Sequence, residues 1–294
     1  MAFTKNNMSE EERNTLIQQA LETSEGRLAL AQSMANPIQT SLLYQSIGRK
    51  LVVPDPLPQG ALARYERDIE VPAFKLSKRG AVPDEITEGL DFLVETFEIG
   101  TYPQVPLTQI RQRMFNIVDR VQVKAKNEIS VIEDNEIFKT ILAAVPAFGY
   151  DTALNHVINS VANGVMQIND VNLAMAKVEY HRLVANKLVM NSNRFADIRA
   201  WGKDVFDFVS QREVLLTGVY AKLYGMDIYI TNQLPSNTVI LASGAEFVGV
   251  MPIRQEITVI PADKPNRLRL GWVVYEEIGV SVPNGKGIAQ ITIS

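Results

Sequence analysis

Few residues of this chain stand at spacings that chemistry would need. Asn284-Gly285-Lys286-Gly287 comes nearest to a phosphate-binding loop, but that loop needs a Gly further upstream and a Ser or Thr after the Lys, and here Gly287 follows Lys286. The stretch reads as a turn. Ser243, in Ala-Ser-Gly-Ala, lacks the Gly-x-Ser-x-Gly elbow that lifts a nucleophile off the end of a sheet. The two histidines, His156 and His181, lie far apart in the sequence without a triad context, and Glu179 is two positions from His181 rather than four, so no zinc-protease pattern forms. Glu133-Asp134 reads as a solvated helix face rather than an acid/base dyad. Trp201 and Trp272 sit in apolar-periodic segments and read as core anchors, not as platforms for stacking bases. These readings predict no enzyme, no catalytic residue, no metal and no cofactor.

Composition narrows the class further. With 294 residues, 46% of them apolar, the chain can bury one large core or two modest ones. Cysteine is absent, which excludes disulfides and thiolate zinc sites, and two histidines cannot by themselves make a His-rich metal centre. No run approaches the roughly 18 apolar residues of a membrane span, and the first residues lack a basic segment followed by an apolar one, so a soluble, cytoplasmically made protein with no membrane partner is expected. Formal net charge is -4. Over residues 1–50, Lys5, Arg13, Arg27, Arg49 and Lys50 balance Glu10, Glu11, Glu12, Glu22 and Glu25. Such a segment does not neutralise phosphates, so any contact with nucleic acid should be weak and non-specific.

The elements that position these residues begin with a capping box. Ser9 can bond the free amide at Glu12 to open a helix striped by Leu16, Ile17, Ala20 and Leu21, which Gly26 interrupts and Leu28 and Ala31 continue. Its acidic polar face fits an arm on a neighbouring surface better than a membrane-binding helix. Between Pro54 and Pro106, two strands of a long hairpin are predicted over Arg64 to Phe74 and Leu90 to Ile99, joined by the charged connection KLSKRGAVPDEITEG. A hairpin of that length cannot bury both faces within its own subunit. Pro106 then opens a helix predicted over 107–144, with Leu107, Ile110, Met114, Ile117, Val121, Ala125, Ile129, Ile132, Phe138 and Ile141 on its apolar stripe. At roughly 35 residues it would run for about 50 Å, which is strut length. Arg111 and Arg113 near its start and Glu133, Asp134 and Glu136 near its end oppose the helix dipole, which allows a break near Asp134-Asn135. Asp170 is a candidate cap for a helix with Val171, Met175, Val178 and Leu183 facing inward.

The last third is the most telling. LVMNSNRFADIRAW places a strand from Leu188 to Met190, a break at Asn191 and a helix carrying Phe195, Ile198 and Trp201; strands in LYGMDIYITNQLPSNTVILASGAEFVGV, RQEITVI and NRLRLGWVVYEEIGVSVPNGKGIAQITI follow. That order resembles the major capsid proteins of tailed bacteriophages, the Hong Kong 97 fold. The resemblance implies an α+β chain with an N-terminal arm (1–50), a peripheral domain (51–62, 101–147 and 263–294) holding a spine helix (107–144), an extended E-loop (63–100) and an axial domain (148–262). It implies hexamers and pentamers of the chain itself closing into an icosahedral head around double-stranded DNA. A separate scaffolding protein, a portal and possibly a decoration protein would be partners. Inter-subunit contact candidates are Arg67, Lys75, Lys78, Arg79, Asp84 and Glu85 of the hairpin. Some members cross-link subunits through an E-loop lysine, but no motif assigns that role to Lys75 or Lys78. Two rivals stay open: an encapsulin-like cellular shell, and an unrelated soluble enzyme.

Overall fold

The computed structural model describes residues 23, 25–28, 46–58, 60–66, 91–108, 115–147, 155–160, 164–201, 222–283 and 285–294. In chain order the principal elements are α1 (Gly48–Leu51), β1 (Val53–Pro56), β2 (Arg64–Glu66), β3 (Asp91–Leu93), β4 (Phe97–Thr101), β5 (Gln104–Pro106), α2 (Phe115–Ala147), β6 (Val157–Asn159), α3 (Ile168–Tyr180), β7 (Lys187–Met190), α4 (Ser192–Ala200), β8 (Lys222–Leu223), β9 (Met226–Ile230), β10 (Thr238–Ala242), α5 (Ala245–Val248), β11 (Val250–Pro261), β12 (Arg269–Ile278) and β13 (Ile288–Thr292). The fold is α+β. The chain divides into two units, one of Met1–Lys50, Thr96–Ile137 and Ile253–Gly279, the other of Leu51–Glu95, Phe138–Pro252 and Val280–Ser294.

In the first unit β12 is the hub. It pairs antiparallel with β11, with β4 and, near its start, with β5. Its period of two buries Leu270, Trp272, Val274, Glu276 and Ile278 in turn. The long helix α2 buries residues at strict four-residue steps, Ala125, Ile129, Glu133, Ile137, Ile141 and Val145, the i, i+4 ridge of one helix face. Ile132, predicted on the apolar stripe, is instead exposed because it lies a quarter-turn off that ridge. Residues 107 and 108 are helical and 109–114 lie outside the described residues; from Phe115 the helix runs unbroken past Asp134-Asn135, taking Pro146 into its last turn.

The second unit is built on a six-stranded sheet of order β6-β13-β10-β7-β9-β8, in which β13 and β6 run parallel, β7 and β9 run parallel and the other pairs are antiparallel. Central β10, TVILA, is buried at all its positions, as an interior strand covered on both faces must be. Helix α3 lies over β13 and β10, its Val171, Ala174 and Val178 joining Leu188, Met190, Leu241, Ala289 and Ile291 in one core. Gln167, not Asp170, stands at the N-cap of α3; Asp170, at the third helical position, accepts the Gln167 amide at 2.9 Å and the Ser160 hydroxyl at 2.7 Å. Asn191 breaks β7 as its type predicts, its side chain accepting the Asn193 amide and so capping α4, while donating to the Leu234 carbonyl at 2.9 Å. Trp201 falls just past that helix, with its indole N–H on the Met166 carbonyl at 3.0 Å.

Several predicted boundaries move. The second hairpin strand divides: β3 pairs with β2, and β4 pairs with β12 instead. Residues 288–292, expected in the peripheral domain, form a strand inside the second unit's sheet, and residues 253–262, expected in the axial domain, belong to the first unit. Residues 25–28 make a helical turn that contains Gly26 rather than stopping at it. The Gly285–Gly287 stretch is a 3-10 turn. A Cβ on Gly287 would lie 2.5 Å from the Ser243 hydroxyl and 2.6 Å from the Phe247 carbonyl, so this glycine allows a close approach of backbones and is not part of a phosphate cradle. Gly287→Ala should therefore destabilise the chain by about 1–3 kcal/mol in urea melts, the cost typical of overpacking.

Candidate assembly elements

Two carboxylates placed by periodicity on apolar faces meet one cation. Glu133 occupies the buried ridge of α2 and Glu276 the buried face of β12, and Arg49, from the N-terminal segment, lies between them. Its Nε donates to Glu133 Oε1, and one terminal nitrogen lies 3.1 Å from Glu276 Oε2. Beside them Asp134 accepts the Ser46 hydroxyl at 2.6 Å and the Gly48 amide at 2.9 Å, so a helix side chain supplies the anion at the start of α1. The approach is close enough that a Cβ on Gly48 would stand 2.8 Å from Asp134 Oδ1.

This overturns the solvated-face reading of Glu133-Asp134: Glu133 is 0% exposed and Asp134 6%. The physical reason is that a carboxylate tolerates burial when a guanidinium and amides from another segment meet it. One sign was visible in the sequence, since both glutamates stand at positions where their element's period asks for an apolar residue.

The cluster carries more acid than base. Burial pushes Glu276 up to about 8, with the nearby charge of Glu133 adding to the rise and Arg49 opposing it. Burial likewise raises Glu133 and Asp134 above the ordinary carboxylate range. Among the described residues, Glu133 Oε2 and Glu276 Oε1 have no hydrogen-bond partner.

The second element is a ribbon. β2 and β3 pair antiparallel, with Arg64 opposite Leu93, Tyr65 opposite Phe92 and Glu66 opposite Asp91. Tyr65 and Phe92 rings lie 6.0 Å apart, Arg64 pairs with Asp91, and the Tyr65 hydroxyl donates to Asp55 at 2.7 Å. Among the described residues no third strand joins the ribbon, and Leu62 and Leu93 beside it are 70% and 62% exposed. The contact candidates Arg67, Lys75, Lys78, Arg79, Asp84 and Glu85 lie outside the described residues. Of the other residues considered, Trp272 is buried in the first unit, and the two histidines, distant in sequence, have their Nε2 atoms 3.1 Å apart. Among the described residues no helix is long and apolar enough to cross a membrane.

Comparison with known proteins bears on these elements. A family model described as phage capsid protein matches residues 101–291. Among solved structures, the chain is similar to the capsid of cyanophage P-SCSP1u, at 10% identity over 85% of this chain and 88% of that one, with a TM-score of 0.66. It is similar to a chain from Microbacterium phage Oxtober96 at 15% identity, over 85% and 91% of the two chains, with a TM-score of 0.58. A virus-like particle from Pyrococcus furiosus matches at 14% identity, over 88% and 98%, with a TM-score of 0.54. No curated protein matches.

Two measurements probe the buried cluster. Arg49→Met leaves two carboxylates without their cation and should cost about 3–5 kcal/mol in denaturant melts of the unassembled chain. Because Glu276 binds its proton more tightly folded than unfolded, its contribution to stability should be full below about pH 4.5, fall as pH rises through 8 and level off above it. Glu276→Gln should flatten that slope.

Proposed function

The chain belongs to the phage capsid protein family and is a major capsid protein of the Hong Kong 97 type, a structural component of the virion shell; from that premise we propose that it closes into hexamers and pentamers whose hairpins lie across neighbouring subunits. The observation that carries this reading is the β2–β3 ribbon. A two-stranded ribbon is marginal alone in water, and this one leaves Leu62 and Leu93 exposed. Covering it with an adjacent subunit would bury both leucines and seat the charged residues from Arg67 to Glu85 against a partner surface. In this reading residues 63–100 are the E-loop, residues 1–50 an arm, and the segments from 51–62, 101–147 and 263–294 contribute to a peripheral domain around an axial domain from 148–262.

The partners in this proposal are other copies of the chain, a separate scaffolding protein, a portal and a decoration protein, with assembly in the host cytoplasm. Packaged double-stranded DNA is touched weakly, since the shell protein is net negative. Its mechanism is geometric, without a catalytic step: self-complementary edges close rings, and hairpins tie the rings together. Similarity to the Pyrococcus furiosus virus-like particle supports a second reading, a cellular shell of encapsulin type, which would enclose protein cargo in place of a genome.

Electron microscopy of the purified chain, alone and co-expressed with scaffolding protein, should show capsomer rings or closed shells. Replacing residues 67–90 by a short Gly-Ser link should abolish shells while leaving the melting transition of the subunit in place. Shells that form normally without those residues would overturn the hairpin's role, and a chain that stays monomeric in every preparation would overturn the assembly reading.

A further inference from the structure

The chain has two histidines, and the fold of the second unit brings them together. His156 precedes β6 and His181 caps the C-terminus of α3; their Nε2 atoms are 3.1 Å apart and their ring centroids 5.1 Å. The Nδ1 of His156 lies 2.6 Å from the Ile288 carbonyl. A carbonyl only accepts, so Nδ1 carries a hydrogen and the Nε2 of neutral His156 presents a bare lone pair toward His181. A backbone carbonyl that holds one ring nitrogen and aims the other is the arrangement typical around metal-bound imidazoles.

The separation suits a shared ion. With each nitrogen about 2.05 Å from a zinc-class ion, a 3.1 Å spacing subtends about 98°, between the octahedral and tetrahedral angles. Without an ion, the same spacing is a hydrogen bond from His181 Nε2–H to His156 Nε2. On binding, His181 changes to its other neutral tautomer, its proton moving to Nδ1, so that its Nε2 becomes a ligand and no proton is left over.

We propose that His156 and His181 form a two-histidine site for a divalent transition-metal ion, its remaining positions filled by water. Among the described residues no group of three or more acidic, histidine or cysteine side chains surrounds an ion, so the site is open rather than a closed structural centre. The groups facing it set its limits. Lys177, one helical turn before His181, presents a positive charge toward His156 and works against a bound cation. Tyr180 meets the His181 ring edge-on, with centroids 5.3 Å apart, and brings no charge.

The test uses tag-free, full-length protein titrated with Zn2+ while calorimetry reads stoichiometry and nitrogen-15 NMR reads the imidazoles. The expected result is one ion per chain, with the Nε2 signals of both rings shifted, binding lost in His181→Gln, and tighter binding in Lys177→Gln. Mg2+, which prefers oxygen ligands, should shift neither ring. Zn2+ that leaves both rings unmoved in the wild-type chain, or that binds His181→Gln as tightly as wild type, would sink the proposal. The wild-type ring signals decide the matter even if His181→Gln fails to fold.

Discussion

A buried guanidinium organises the first unit. Arg49 lies with 9% of its side chain exposed between Glu133 and Glu276, and a charge so placed is tolerated only while its partners stay in register. Apolar contacts alone would let a helix slide by a fraction of a turn at modest cost. A buried charge cluster does not, because sliding the helix takes Glu133 away from Arg49 and leaves buried charge without its partner in a low-dielectric site. The cluster therefore fixes three things together: the position of the 46–50 segment, the rotation of α2 about its axis, and the inward face of β12. Asp134 reinforces the first by gripping the Ser46 hydroxyl and the Gly48 amide, where the absence of a Cβ lets helix and turn come close.

The second unit is held by area rather than charge. Its core joins α3, α4 and the six-stranded sheet through aliphatic side chains, and β10 at its centre has no solvent-facing position to use for polar residues. The β2–β3 ribbon stands in contrast. Its three cross-strand pairs contribute about 0.2–1 kcal/mol each, against about 1–2 kcal/mol for ordering the backbone of each residue. The pairing of these three positions is thus too weak alone to hold the two strands in order. Cover by a neighbouring subunit, as proposed above, would close that gap.

Strong periodicities made much of this legible in the sequence. The Leu188–Met190 strand, the Asn191 break, the buried Phe195 and Ile198 and the buried Trp272 are where residue type and spacing place them. The misses share a cause. Ile132 is apolar yet exposed, and Glu133 is charged yet buried, because residue type and helical phase disagree there and phase won once Arg49 came from far away in the chain. Pairing partners were invisible for the same reason: nothing local says that residues 97–101 leave the hairpin to join β12, or that residues 288–292 insert between β6 and β10. The meeting of two histidines 25 positions apart is likewise a product of topology.

Charge distribution separates building a wall from holding its contents. Affinity for DNA grows with the number of phosphates a protein neutralises, and that number also sets its sensitivity to salt. The first 50 residues balance five basic against five acidic side chains, and the whole chain is net negative, so few phosphates are neutralised. In the proposed shell, attraction between wall and genome would then supply little of the work of condensing it. In the shell proposed above, confinement would come from closure of the lattice. The buried charges in register serve the subunit's own fold, and the ribbon is the part that the proposed assembly would use between subunits.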